Sequence, residues 1–491
     1  MLTRSASQFT AGTLFIAPLA IGAGLLTKSF AATAVVGAVI AIAWSWPEWV
    51  LALLLASAPF VRSLSPERVS PEMLMMIKTS IALLLGGLWL LRRLLAREQE
   101  SLPAGMGILC ALWAGLLALS TLHAVNPMRS IAYIPLTLAG IAVFTLVWNA
   151  DRVIQRRLLL GVLGLGAAMG LLVALQYVTV TYGYFSSIAH FIVEPRTQAY
   201  YSENPLGETS GRFRPSGTMF HPNSMGLFFT VIMPFATAIG FASRAPVFWR
   251  IVGKMTAGLA LCGLYATNSR AATLAAVVGL LYLGVRAGYR RVAAGAAVIV
   301  AIVGLTVLTS HGGLREALES FARVDAGLSG RGTIWANTFT LIQQEPFFGV
   351  GPANFTSQYV AHFGYFLPNN VQEQMGQIWA IQNIPAAQFI NNFHAHNIYL
   401  QLSGELGLCG PLLFLSTMLW FLGQSERRES RHPTGSLSRA MAVGSGALAL
   451  SIMAYGFFDS QYSFTFDAIN LITGALLATG IGRTMNSEVR V

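Results

Sequence analysis

Residues 158–179 read LLLGVLGLGAAMGLLVALQYVT, an uncharged run with Arg152, Arg156 and Arg157 just before it. A helix rises ~1.5 Å per residue, so such a run is long enough to cross the ~30 Å hydrocarbon core of a bilayer. In hydrocarbon every backbone N–H and C=O must be paired inside its own segment, which a helix does. The Leu, Ala and Gly content suits helices packed through small residues. It lacks the residue-by-residue alternation of a membrane barrel.

The pattern repeats outward along the chain. Comparable runs fall near 75–92, 105–122, 131–149, 223–242, 250–267, 271–286, 291–309, 397–423, 438–457 and 466–482. The stretch 11–61 is expected to hold two or three shorter spans, broken at Lys28 and near Pro47. Met1 to Thr10 carries Arg4 ahead of an apolar stretch and has the look of a leader, but no convincing cleavage site follows, so it reads as the start of the first span. Across 491 residues, 54% are hydrophobic and only 10% charged; a soluble domain usually carries about 25% charge. The expected fold is therefore all-α, a polytopic integral membrane protein of 12–14 helices with its C-terminus in the cytoplasm. Its expected organisation is N-terminal transmembrane helices over 1–309 with an outer loop near 180–222, a large outer segment over 310–396, and C-terminal transmembrane helices over 397–491. Cys110, Cys262 and Cys409 all lie in apolar runs, which argues against a disulfide framework or a cysteine metal site.

The net charge of +11 is clustered. Arg92, Arg93 and Arg97 follow one span, and Arg152, Arg156 and Arg157 precede another. Arg244, Arg250 and Lys254, then Arg286, Arg290 and Arg291, lie between later spans, and Arg427, Arg428, Arg431 and Arg439 form the last group. These loops alternate with poorly charged ones, as cytoplasmic loops do, so they read as topology determinants rather than a nucleic-acid surface. The same parity places four segments outside: 123–130, about 180–222, 268–270 and 310–395. The last holds an amphipathic stretch from Trp335 to Gln344, stopped by Pro346, and then the turn Gly349-Val350-Gly351-Pro352. Seven of the eight histidines lie in or beside these segments.

Several boundary residues are equipped for chemistry. Arg212 and Arg214 precede one span, Arg270 stands in Thr267-Asn268-Ser269-Arg270, and Arg331 in Ser329-Gly330-Arg331-Gly332. Few acidic residues lie nearby, and arginine holds phosphate oxygens bidentately without losing its charge. The plain alternative is that single arginines snorkel to lipid headgroups. His394 and His396 flank Ala395 at the head of the 397–423 run. On a helix, a spacing of two puts side chains on different faces, and no cysteine or carboxylate cluster stands near in sequence, so no metal site is expected. A single boundary histidine suits a general base, since imidazole titrates near neutrality. Glu405 lies nine residues after His396, two and a half turns on a helix, and is expected to point away from it. Gly407 and Gly410 read as helix-packing positions.

These residues resemble a known family. His396-Asn397, nine residues, then Gly407-Leu408-Cys409-Gly410 is similar to the signature of bacterial O-antigen ligases and polymerases. Arg331 to Trp335, Pro346 and Gly349-Val350-Gly351 are similar to the rest of that module. Asn268-Ser269-Arg270-Ala271, and Arg214 to Thr218 followed by His221-Pro222-Asn223, resemble its earlier motifs, so the resemblance covers about 210–412 in order. Pro411 departs from members that carry a hydroxyl residue there. The resemblance implies a GT-C-like glycosyltransferase of the bacterial inner membrane with its active site facing the periplasm. It implies transfer of a polysaccharide from undecaprenyl pyrophosphate to a sugar hydroxyl of lipid A–core, in lipopolysaccharide biosynthesis, without metal or other cofactor and with inversion. The implied catalytic residues are His396, Arg331 and Arg270. The implied substrate-binding residues are Arg214, Arg212, His221, Asn223, Asn397, Trp335 and His394. Expected partners are the lipid-linked glycan, the lipid A–core acceptor and membrane lipid, with no nucleic acid, and the expected state is a monomer. The alternatives are an O-antigen polymerase or a protein O-oligosaccharyltransferase. More distant is a lipid-linked sugar flippase, which calls for inverted repeats and midplane charges, and neither is evident beyond Glu405.

Overall fold

The computed structural model describes residues 45–60, 71–96, 103, 105–182, 184, 214–219, 222–286, 289–290, 292, 295, 331–363, 394–460 and 467–482. Among them are fourteen helices and no strand. In chain order they are α1 (Pro47–Ser57), α2 (Pro71–Ala96), α3 (Met106–Leu122), α4 (Pro127–Trp148), α5 (Arg152–Tyr182), α6 (Pro222–Gly240) and α7 (Val247–Thr267), then α8 (Arg270–Val285), α9 (Arg331–Gln344), α10 (Phe355–Phe363), α11 (Ile398–Leu406), α12 (Cys409–Glu429), α13 (Leu437–Gly456) and α14 (Asp467–Ile481). Five of them, α4, α5, α6, α7 and α13, are each long and apolar enough to cross a membrane. Apolar helices of 10–17 residues stand beside them. The expected all-α, multi-span architecture holds. The run 291–309, apart from residues 292 and 295, and most of 11–61 lie outside the described residues.

Local chemistry sets the helix starts. Asn126 caps α4 by accepting the Arg129 N–H at 3.1 Å, with Pro127 in the first helical position, where a missing N–H does no harm. Ser436 caps α13 in the same way through the Arg439 N–H.

The central pillar is α6. Nearly all of its side chains are buried, the mark of a helix surrounded by others, and it packs against α5, α7, α8 and α13. Hydroxyls tie the pillar in: Thr230 Oγ1 donates to its own Gly226 carbonyl at 3.0 Å and to the Ala272 carbonyl of α8 at 2.9 Å. Thr256 of α7 reaches the Leu163 carbonyl of α5 at 3.0 Å. At Gly170 the backbones of α5 and α7 come so close that a methyl group would strike the Leu259 carbonyl.

The two ends of this bundle differ chemically. At one end Arg286 pairs with Glu426 and Glu429, Arg439 with Glu429 at 2.8 Å, and Arg428 with the Gly482 carbonyl. Arg244 N–H meets the Gly435 carbonyl there at 2.8 Å. Arginine clusters distant in sequence thus share one end. The turn 267–270, the start of α6, residues 394–397 and the end of α13 gather at the other.

One expectation is corrected. The run 397–423 is not one helix but two, α11 and α12, broken at Gly407. Gly407 has φ 69° and ψ −175°, a conformation open essentially to glycine alone. The break frees helix carbonyls that need partners, and the turn after α9 supplies them. Val350 N–H donates to the Gly404 carbonyl at 2.9 Å, Gly351 N–H to the Glu405 carbonyl at 3.0 Å, and Leu408 N–H returns to the Pro346 carbonyl at 2.9 Å. The Ser120 hydroxyl of α3 reaches the Phe348 and Glu405 carbonyls at 2.6 and 2.9 Å. The segment 345–352 is thereby knitted into the bundle. Above it Ile334, Leu341, Phe355, Tyr359 and Ala395 form a small second core that seats α9 and α10 beside residues 394–396.

Candidate active site

His394, Ala395 and His396 precede α11 rather than riding on it; the cap of α11 is Asn397. The Asn397 side-chain oxygen accepts the Tyr399 and Leu400 N–H groups at 2.9 and 3.1 Å, and its amide donates to the Phe457 carbonyl at 3.1 Å. Both ends of this amide are committed to backbone, so Asn397 pins the start of α11 to the end of α13. His396 has φ 51°, an unusual left-handed turn for a non-glycine residue. That turn overrides the different-faces expectation and brings the two imidazole rings to a centroid distance of 4.1 Å.

A carboxylate far from the histidines in sequence closes the site. Asp459 is fully buried just past α13, and its Oδ1 lies 3.6 Å from His396 Nδ1 and 4.0 Å from His394 Nδ1. Asn223 Nδ2 donates to its Oδ2 at 2.9 Å and the Ser460 N–H to its Oδ1 at 2.8 Å. Asn223 Oδ1 in turn accepts from Arg214 Nη2 at 2.9 Å, and Arg214 Nε donates to the Thr267 carbonyl at 3.0 Å. The result is a polar relay from the 267–270 turn through Arg214, Asn223 and Asp459 to His396, assembled from four separate parts of the chain.

The hydrogen bonds determine the state of His394. Its Nδ1 accepts the His396 N–H at 3.3 Å, so that nitrogen carries a lone pair and the neutral ring holds its proton on Nε2. Ser460 Oγ, 2.6 Å away, must then be the donor. For His396 the buried Nδ1 has no hydrogen-bond partner among the described residues and faces Asp459 just beyond bonding reach. Its side chain is 32% exposed. A proton on Nδ1 directed at the carboxylate leaves the Nε2 lone pair for another group.

Behind the two histidines a second relay runs up α11. Ala395 N–H donates to Gln401 Oε1 at 2.9 Å, and Gln401 Nε2 to Glu405 Oε1 at 2.7 Å. Glu405 thus turns away from His396, as its spacing suggests, and braces the turn instead. Trp335, one turn after Arg331 in α9, donates its indole N–H to the Ala395 carbonyl at 2.9 Å. Further along, Asn337 donates to the Tyr359 hydroxyl at 2.9 Å, and burial pushes that phenol above its usual range.

Arg270 is the first residue of α8 and is exposed. No ion pair or hydrogen bond joins its guanidinium to a described residue. It also stands where the helix dipole and unpaired N–H groups favour an anion. Arg331 begins α9, the helix anchored at Ala395. Arg212 and His221 lie outside the described residues. Of the expected residues, the structure gathers Arg214, Asn223, His394, His396, Asn397 and Trp335 at one end of the bundle. Asp459 was legible in principle: the span parity puts a fifth segment, about 458–465, on the outer side, and an acid at the end of an apolar run calls for a functional reading.

This architecture defines a multi-pass helical membrane protein with a histidine–carboxylate site at one end of its bundle. Residues 255–415 match the family model of the O-antigen ligases, and the chain carries that domain. The matched stretch holds Arg270, Arg331, Trp335, His394, His396 and Asn397, while Arg214, Asn223 and Asp459 lie beyond its limits. No curated protein matches the chain.

Proposed function

We propose that the chain is a glycosyltransferase of the O-antigen ligase type. In this reading it moves a polysaccharide from undecaprenyl pyrophosphate to a sugar hydroxyl of lipid A–core. The observation that carries the reading is the buried Asp459 facing His396 Nδ1, with Arg214 joined to Asp459 through Asn223 and with His396 inside the matched stretch 255–415. The arginine-rich opposite end supports a cytoplasmic assignment for that end, hence a periplasmic site in the inner membrane.

The chemistry follows from the donor set. Asp459 holds the His396 ring, and Nε2 takes the proton of the acceptor hydroxyl. The acceptor oxygen attacks the anomeric carbon as the bond from that carbon to the pyrophosphate oxygen breaks. Undecaprenyl pyrophosphate leaves with the extra negative charge, which Arg270 and Arg331 balance as fixed cationic donors. One direct displacement inverts the anomeric centre. Asn397, Trp335 and Asn223 position the machinery, and their own hydrogen bonds support that division of roles.

The decisive test is a reconstituted assay with purified protein, lipid-linked glycan and rough lipopolysaccharide. Product on lipid A–core is expected, at an undiminished rate in excess chelator. Elongated lipid-linked chains in place of that product identify a polymerase, and loss of activity in chelator removes the arginine-only account of the leaving group. Arg270→Ala is expected to lower the rate by ~10²-fold or more, the usual loss for one preorganised donor. Arg270→Lys is expected to recover only part of it, because an ammonium cannot bind bidentately. Full activity in Arg270→Ala would take that side chain out of the mechanism.

A further inference from the structure

Three side chains converge at this site: His394, His396 and Asp459 each offer one ligand atom, a ring nitrogen or a carboxylate oxygen, and these atoms lie within 4.8 Å of one another. Asp459 Oδ1 stands 3.6 Å from His396 Nδ1 and 4.0 Å from His394 Nδ1. Tetrahedral zinc with bonds of ~2.0–2.1 Å holds its donors roughly 3.3–3.4 Å apart, so these two separations need to contract by well under 1 Å, and the separation of the two imidazole donors, at most 4.8 Å, must close to the same span. The chemistry also fits. His394 Nδ1 carries a lone pair, since it accepts the His396 N–H. His396 Nδ1 is buried without a hydrogen-bond partner among the described residues. The Asp459 carboxylate is held by Asn223 and Ser460, the kind of outer support that orients a metal ligand.

We infer that His394, His396 and Asp459 form a binding site for a zinc-class transition-metal ion, and that occupancy inhibits the transferase. Two imidazoles and a carboxylate are a zinc donor set with one position left for water. Binding displaces both donors, the Ser460 hydroxyl and the His396 N–H, from the single lone pair of His394 Nδ1. It also replaces the proton on His396 Nδ1, which moves to Nε2 by way of solvent. Nε2 then carries a hydrogen instead of a lone pair and cannot take the acceptor's proton. The inhibitory half of the inference rests on His396 acting as base; the binding half does not.

The test uses the purified full chain in detergent, free of any polyhistidine tag, titrated calorimetrically with zinc chloride. One saturable equivalent is expected, with Co2+ giving the intense visible bands of a tetrahedral site. Affinity is expected to fall at least about tenfold in His394→Gln, and to stay unchanged in His362→Ala, which removes an exposed histidine elsewhere. Gel filtration and thermal unfolding check that His394→Gln folds. No saturable binding, or equal affinity in a folded His394→Gln, overturns the site. In the transfer assay zinc is expected to inhibit and chelator to restore the rate. Saturable binding with an unaffected rate leaves the site standing and overturns the role of His396 as base.

Discussion

Transfer by His396→Ala is expected to fall by ~10²–10⁴-fold, the range a positioned general base supplies, with the protein still folded in the membrane. The side chain is about one-third exposed and makes no hydrogen bond to a described residue, so its removal costs the ring contact with His394 and no hydrogen bond. Asp459→Asn is the sharper companion. Asparagine keeps the shape, and its side-chain oxygen can still accept one of the two hydrogen bonds from Asn223 and Ser460. It removes the charge opposite His396 Nδ1. A fall in kcat with little change in KM is expected, since the residue acts through the ring and does not touch the donor. The double variant His396→Ala with Asp459→Asn is expected to be no slower than His396→Ala alone, because groups that act as one unit are not additive. Additive losses would mean that Asp459 serves something other than His396, and wild-type rates in His396→Ala would exclude the base.

The largest structural effect is expected at Gly407. With φ 69° and ψ −175°, any side chain there is strained by ~1–3 kcal/mol. An added methyl also runs into the Phe347 carbonyl and the Pro346 oxygen. Those atoms belong to the turn that satisfies the broken helix, so they cannot retreat without giving up the bonds from Val350, Gly351 and Leu408. Gly407→Ala is therefore expected to lose most folded protein, or to melt far below the wild type in detergent. Gly423 of α12 is the control, since a methyl group there meets nothing within 4 Å. Gly423→Ala is expected to match or slightly exceed wild-type stability, by up to ~1 kcal/mol. Equal melting of the two variants would show that the break at Gly407 is not built as described.

The spans were legible because hydropathy is a local property: an uncharged run such as 158–179 has one low-energy arrangement in hydrocarbon, whatever surrounds it. The arginine loops were legible for a similar reason. They alternate with poorly charged loops along the chain, and the structure brings Arg244, Arg286, Arg428 and Arg439 to one end of the bundle. The candidate residues His394, His396 and Asn397 could be picked out from their position at the head of an apolar run.

Two features were decided only in three dimensions. A glycine inside an apolar run reads the same whether it packs against a neighbour or breaks the helix. At Gly407 the difference comes from a partner, the 346–351 segment, whose N–H groups meet the carbonyls that the break exposes. Asp459 is separated from His396 by the whole of α11, α12 and α13, and the sequence alone shows no link between them. The link exists because Asn397 ties the start of α11 to the Phe457 carbonyl at the end of α13. With the Tyr399 hydroxyl on the Met453 carbonyl and the Tyr399 ring on Phe457, that contact sets a buried carboxylate against the imidazole, so the sequence determined that this is a helical membrane protein with boundary histidines and arginines, while the junction of the start of α11 with the end of α13 decided which carboxylate faces His396.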